Sequence, residues 1–68
     1  MEVLREERHA AEIRLTASEL AIINNALNEI CHGIDLPGFA SRIGVERPAA
    51  ERLLADVGAL LRRLAARS

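Results

Sequence analysis

Thr16-Ala17-Ser18-Glu19-Leu20-Ala21-Ile22-Ile23-Asn24-Asn25-Ala26-Leu27-Asn28-Glu29-Ile30-Cys31-His32-Gly33 is the stretch that decides the fold class. It opens with a capping box, in which Thr16 accepts from the backbone amide of Glu19 and Glu19 reaches back to the amide of Thr16. Leu15 and Leu20 stand on either side of that cap at hydrophobic-staple positions. Leu20, Ile23, Leu27, Ile30 and Cys31 then recur at helical spacing, widened by Ile22 and Ala26. Gly33 is the expected left-handed stop, with His32 near the negative end of the helix dipole. A first helix over about 17–32 follows.

Working toward the C-terminus, a second start comes at once. Asp35 is a candidate N-cap, Pro37 falls in the first turn where a missing amide costs little, and Ile34 and Phe39 take staple positions. This predicts a short helix over roughly 36–43, ended by Gly44. The third helix is predicted from Arg47 or Pro48 to about Ala66. Its Ala50, Leu53, Val57, Leu60 and Leu64 repeat at alternate spacings of three and four, the seam of a coiled coil, with Leu54 and Leu61 on one flank. Gly58 at the stripe's edge costs helix stability or lets another helix come close.

Toward the N-terminus the pattern weakens. Ala11, Ile13 and Leu15 alternate with Glu12 and Arg14, a period of two. A lone strand needs a partner, and residues 1–11 show no second strand pattern. Residues 1–15 are therefore read as an arm or short extended lead-in, to which a symmetric copy could pair, and residues 16–68 as the folded domain. The expected architecture is all-α: a small three-helix domain with a tight helix–glycine–helix corner and a long C-terminal helix.

The chain has 68 residues, half of them apolar, with Phe39 the only aromatic and nine arginines but no lysine. A domain of this size buries only about 60% of its unfolded surface, so a lone core is marginal. Cys31 is the only cysteine, which excludes an internal disulfide. Helix packing and self-association remain as sources of stability. No apolar run approaches the roughly 18 residues that span a bilayer, and the charged start Met1-Glu2-Val3-Leu4-Arg5-Glu6-Glu7-Arg8 lacks the apolar stretch of a signal peptide. A cytoplasmic protein without membrane partners is expected. The net charge of −1 hides an asymmetry: residues 1–38 carry three arginines against seven acids, residues 39–68 six against three.

Phe39-Ala40-Ser41-Arg42-Ile43-Gly44-Val45-Glu46-Arg47-Pro48-Ala49-Ala50-Glu51-Arg52-Leu53-Leu54 resembles the helix-turn-helix motif of tri-helical DNA-binding regulators. Ala40 matches the small residue at the helix crossing, and Gly44 the turn glycine. Ile43, Val45, Ala50 and Leu53 match the buried positions. The resemblance implies a second motif helix in the major groove, with Arg42, Arg47 and Arg52 as the DNA-contacting residues. Glu46 and Glu51 share that exposed face, and a net acidic chain lacks the attraction that supplies most non-specific DNA affinity.

No side-chain set marks an enzyme. Cys31 and His32 are helical neighbours whose side chains diverge, so one does not activate the other. Ligand spacing for a metal is missing, phosphate cradles and serine nucleophile elbows are missing too, and no cofactor is expected. Asn24, Asn25 and Asn28 are poor helix formers clustered within five residues, with His32 one turn further on. They are read as a partner-binding patch in which one asparagine ties down the 33–38 loop. The seam on the third helix outruns its local cover, so Val57, Leu60, Leu61 and Leu64 are the expected self-association residues, in a homodimer. The leading reading is a non-enzymatic helical interaction module of the adaptor, antitoxin or immunity kind, with a protein partner of unknown identity. The alternative is a helix-turn-helix DNA-binding transcriptional regulator.

Overall fold

The computed structural model describes residues 1–67; Ser68, the last residue of the expected domain, lies outside them. Strand β1 (Glu2–Glu6) and strand β2 (Ala11–Arg14) form an antiparallel hairpin, followed by helices α1 (Ala17–Asn28), α2 (Phe39–Ile43) and α3 (Arg47–Ala65). The fold is mainly helical with three helices, as the periodicity predicts, but it is not all-α.

The hairpin is the main correction. The expected arm is a strand after all, and residues 2–6 supply the partner that β2 needs. Glu2 lies opposite Arg14, Val3 opposite Ile13, Arg5 opposite Glu12 and Glu6 opposite Ala11, with a bulge between Val3 and Arg5. Leu4 is the extra residue of that bulge, so the alternation of β1 is broken in the middle. The connection, Glu7-Arg8-His9-Ala10, is closed by Glu7 N–H donating to the Ala10 carbonyl at 2.8 Å. It contains no glycine, asparagine or proline, the residues by which a hairpin turn is recognised in a sequence.

Helix α1 begins where the capping box puts it. Glu19 N–H donates to Thr16 Oγ1 at 3.1 Å and Thr16 N–H donates to Glu19 Oε1 at 2.9 Å. Its far end differs from expectation. After Asn28 the chain widens into a π-helical turn, Glu29–Gly33, and Ile34 N–H closes it on the Glu29 carbonyl at 3.0 Å. Gly33 is not left-handed; among the described residues only Gly38 and Gly44 have positive φ. The helix ends because Ile34 turns extended, at φ −129° and ψ 156°.

The expected cap of the second helix also moves. Pro37 and Gly38 form a tight turn, Gly38 at φ 66° becomes the N-cap of α2, and Asp35 caps nothing. The turn takes up residues assigned to the helix, which leaves α2 only five residues. Ile34 is consequently exposed and does not staple Phe39. Gly44 ends α2 at φ 95°, a conformation that a side chain would strain.

The core is small. Leu20, Cys31, Phe39 and Ala50 are the buried apolar residues, and Ile30, Leu36 and Leu54 pack partly buried around the last three. Helix α1 packs along α3. Three positions assigned to the buried stripes face out: Ala26, Ile22 at 68% exposure and Leu53 at 52%. Asn24, on the opposite side of α1 from Ile22, and Leu54, next to Leu53 on α3, are partly buried instead.

Candidate interaction surface

The hairpin stands beside the helices with all nine of its strand residues exposed. Between them lies an open apolar cleft of about 360 Å³. Leu4, Ile13 and Leu15 line it from the hairpin side, and Leu20, Leu60 and Leu64 from the helical side. Arg14 also borders it. Sequence periodicity supplies the helical wall. The bulge at Leu4 and the strand register supply the other.

One carboxylate anchors this arrangement. Glu19 Oε2 accepts from the amino-terminal ammonium of Met1 at 2.5 Å, while its other oxygen holds the cap of α1. The ammonium, then the Thr16 amide, lowers the Glu19 pKa to about 2. Glu19 is legible in the sequence as a capping residue. Its hold on the start of β1 is a tertiary fact.

A second anchor lies at the helical corner. Cys31 lies in the π-helical turn that closes the α1 segment, where a helix leaves carbonyls without backbone donors. Arg47 Nη1 donates to the Cys31 carbonyl at 2.6 Å, and the guanidinium carbon sits 4.6 Å from the centroid of the Phe39 ring. Arg47, named as a base- or phosphate-contacting residue, thus has its charged group inside the corner. Arg42 and Arg52 are exposed. Of the motif's interior positions Ala50 is buried, whereas Ile43, Val45 and Leu53 are 36%, 45% and 52% exposed.

The expected patch is divided by the fold. Asn25, Asn28 and His32 are exposed, while Asn24 is partly buried against α3, where its Oδ1 lies 3.5 Å from the place a Cβ on Gly58 would occupy. No asparagine ties the 33–38 loop among the described residues; Arg47 holds that corner. Cys31 is buried and its neighbour His32 exposed. Val57, Leu60, Leu61 and Leu64 are all partly buried. Leu60 and Leu64 line the cleft across from the hairpin residues Leu4 and Ile13. Among the described residues no three His, Cys, Asp or Glu side chains come together, and no helix is long and apolar enough to cross a membrane.

The molecule is flat and open, 37 × 32 × 16 Å, with a radius of gyration of 13.5 Å. A compact chain of this length has a radius near 11 Å. The accessible surface is 5372 Å², whereas a compact monomer of this mass exposes about 4,200 Å². Much of the surplus is apolar: Met1, Val3, Leu4, Ile13, Ile22 and Leu53 are between 44% and 71% exposed. No family model, curated protein or solved structure matches the chain.

Proposed function

We propose that this chain is a cytoplasmic, non-enzymatic interaction module of the adaptor, antitoxin or immunity kind, which works as a homodimer and offers its helical surface to a protein partner. The surplus of about 1,100–1,200 Å² over a compact monomer carries this reading. A standard protein–protein interface takes about 800 Å² from each partner, so one copy's surplus is enough for one such contact. The exposed triplet Asn25, Asn28 and His32 on the outer face of the α1 segment supplies polar groups for a protein partner.

Sedimentation from low micromolar to several hundred micromolar tests the self-association. The expected result is a mass twice that of the chain. A single-chain mass throughout that range removes the proposal. Binding to mixed duplex DNA over a salt series tests the alternative. With the Arg47 guanidinium turned into the corner, binding would rest on Arg42 and Arg52. Strong, salt-sensitive binding that falls on replacing those two arginines by alanine would make the chain a DNA-binding regulator.

A further inference from the structure

We propose that the second copy docks by strand addition at the outer edge of β2, giving a continuous four-stranded antiparallel sheet in the order β1–β2–β2–β1. The inference rests on the self-association reading and specifies its register. The outer edge of β2 is a free template: Ala11–Arg14 are all exposed, and among the described residues no hydrogen bond runs from this edge to another part of the chain. The bulge between Val3 and Arg5 interrupts the opposite edge of the hairpin, as protective bulges do. The edge of β2 has no bulge and no proline.

Geometry and charge together choose one register. Two antiparallel copies of one strand are related by a twofold axis perpendicular to the sheet, so one residue must face its own copy. If Glu12 does so, two carboxylates meet; if Arg14 does so, two guanidinium groups meet. If Ile13 does so, Glu12 faces the partner's Arg14 and Arg14 faces the partner's Glu12. Ala11 then faces the partner's Leu15, and Ile13 the partner's Ile13. Only this centre satisfies both faces of Ala11-Glu12-Ile13-Arg14-Leu15.

The pairing within one hairpin extends the pattern. Arg14 already lies opposite Glu2, and Glu12 opposite Arg5. Across four strands the polar face then reads Glu2, Arg14, the partner's Glu12 and the partner's Arg5. Every lateral neighbour is of opposite sign, and the twofold axis repeats the row. On the other face Val3 and Ile13 continue into their own copies as an apolar row. That is the Ile13 face, which borders the cleft beside Leu60 and Leu64. A hairpin that is marginal as two strands becomes a four-stranded sheet with an apolar face.

The register predicts a charge complementation that an unspecific apolar contact does not. Glu12→Arg sets like charges opposite each other at both positions, and Arg14→Glu does the same with the other sign. Each variant alone is expected to dimerise at least about tenfold more weakly than the wild-type chain. An equimolar mixture places opposite charges at both positions and is expected to form heterodimers of near wild-type strength. The wild-type protein supplies a second, variant-free measurement. In a mixture of isotope-labelled and unlabelled chains, filtered NOEs are expected between Ile13 methyls of different copies and between Ala11 and Leu15. A wild-type dimer without these NOEs overturns the strand pairing while leaving self-association in place. Variants that both dimerise normally, or a folded pair of variants that does not complement, overturn it too. A monomeric wild-type chain removes both readings.

Discussion

Arg47 explains more of the helical corner than any other side chain. It is the first residue of α3, yet its guanidinium reaches back to the end of the α1 segment and lies over the sole aromatic ring. A charged donor on a carbonyl contributes about 1.5–3 kcal/mol, and a cation over a ring about 0.5–2 kcal/mol. Arg47→Ala is therefore expected to cost about 2–3 kcal/mol in urea unfolding. Arg47→Lys should recover only part of this, because an ammonium lacks the planar group that both stacks and donates. An unchanged midpoint for the alanine variant would show that the corner does not depend on this contact. Gly58 gives the opposite sign. A Cβ there meets Asn24 Oδ1 and Arg62 Nη1 at 3.5 Å, ordinary contact distance. Gly58→Ala is expected to stabilise the protein by about 0.5–1 kcal/mol, raising the melting temperature by several degrees.

At the scale of elements, the hairpin depends on its attachment to α1. Among the described residues the Met1 ammonium on Glu19 ties the start of the hairpin to α1. The Glu19 carboxylate titrates at about 2 in the folded chain against an ordinary 4.5. A carboxylate with a lowered folded pKa contributes stability that is fully present above pH 4.5 and is lost as the pH falls through about 2. The hairpin is thus expected to stay docked at neutral pH and to loosen only in strong acid. A carboxyl-carbon NMR titration of Glu19, with the amide shifts of Glu2 and Val3 followed alongside, reads both events. A Glu19 midpoint near the ordinary value would mean that the ammonium is not bound in solution. Glu19→Gln should abolish the acid-dependent change in the hairpin. The same carboxylate makes the cap of α1 legible in the sequence, because its partner Thr16 is three residues away. Its second partner is eighteen residues away in the chain, and no local pattern announces it.

At the scale of the whole molecule, four buried residues among those described and a 16 Å thickness leave little of the apolar surface covered. In the proposed homodimer, mass action would couple stability to concentration. For that proposed dimer the melting temperature is expected to rise steadily with protein concentration, and at a fixed concentration to fall as salt screens the charged rows of its four-stranded sheet. A melting temperature independent of concentration over a hundredfold dilution would argue for a self-sufficient monomer. The surplus surface and the open edge are properties of one copy's tertiary structure. Composition indicates them only as a half-apolar chain too short to cover itself.

The sequence by itself determined the three helices, the start of α1 at Thr16, the bend at Gly44 and nearly the full span of α3. These follow from contacts within one or two turns, where capping chemistry, glycine freedom and apolar spacing act on the chain directly. Tertiary structure alone decided the rest. The hairpin was hidden because a bulge at Leu4 broke the alternation and the turn lacked its usual residues. The outward faces of Ile22 and Leu53 follow from the way α1 and α3 pack, which places Asn24 beside Gly58. The inward turn of Arg47 depends on a carbonyl and a ring brought to it from residues 31 and 39. In each case the deciding partner is distant along the chain, and periodicity records only what neighbours share.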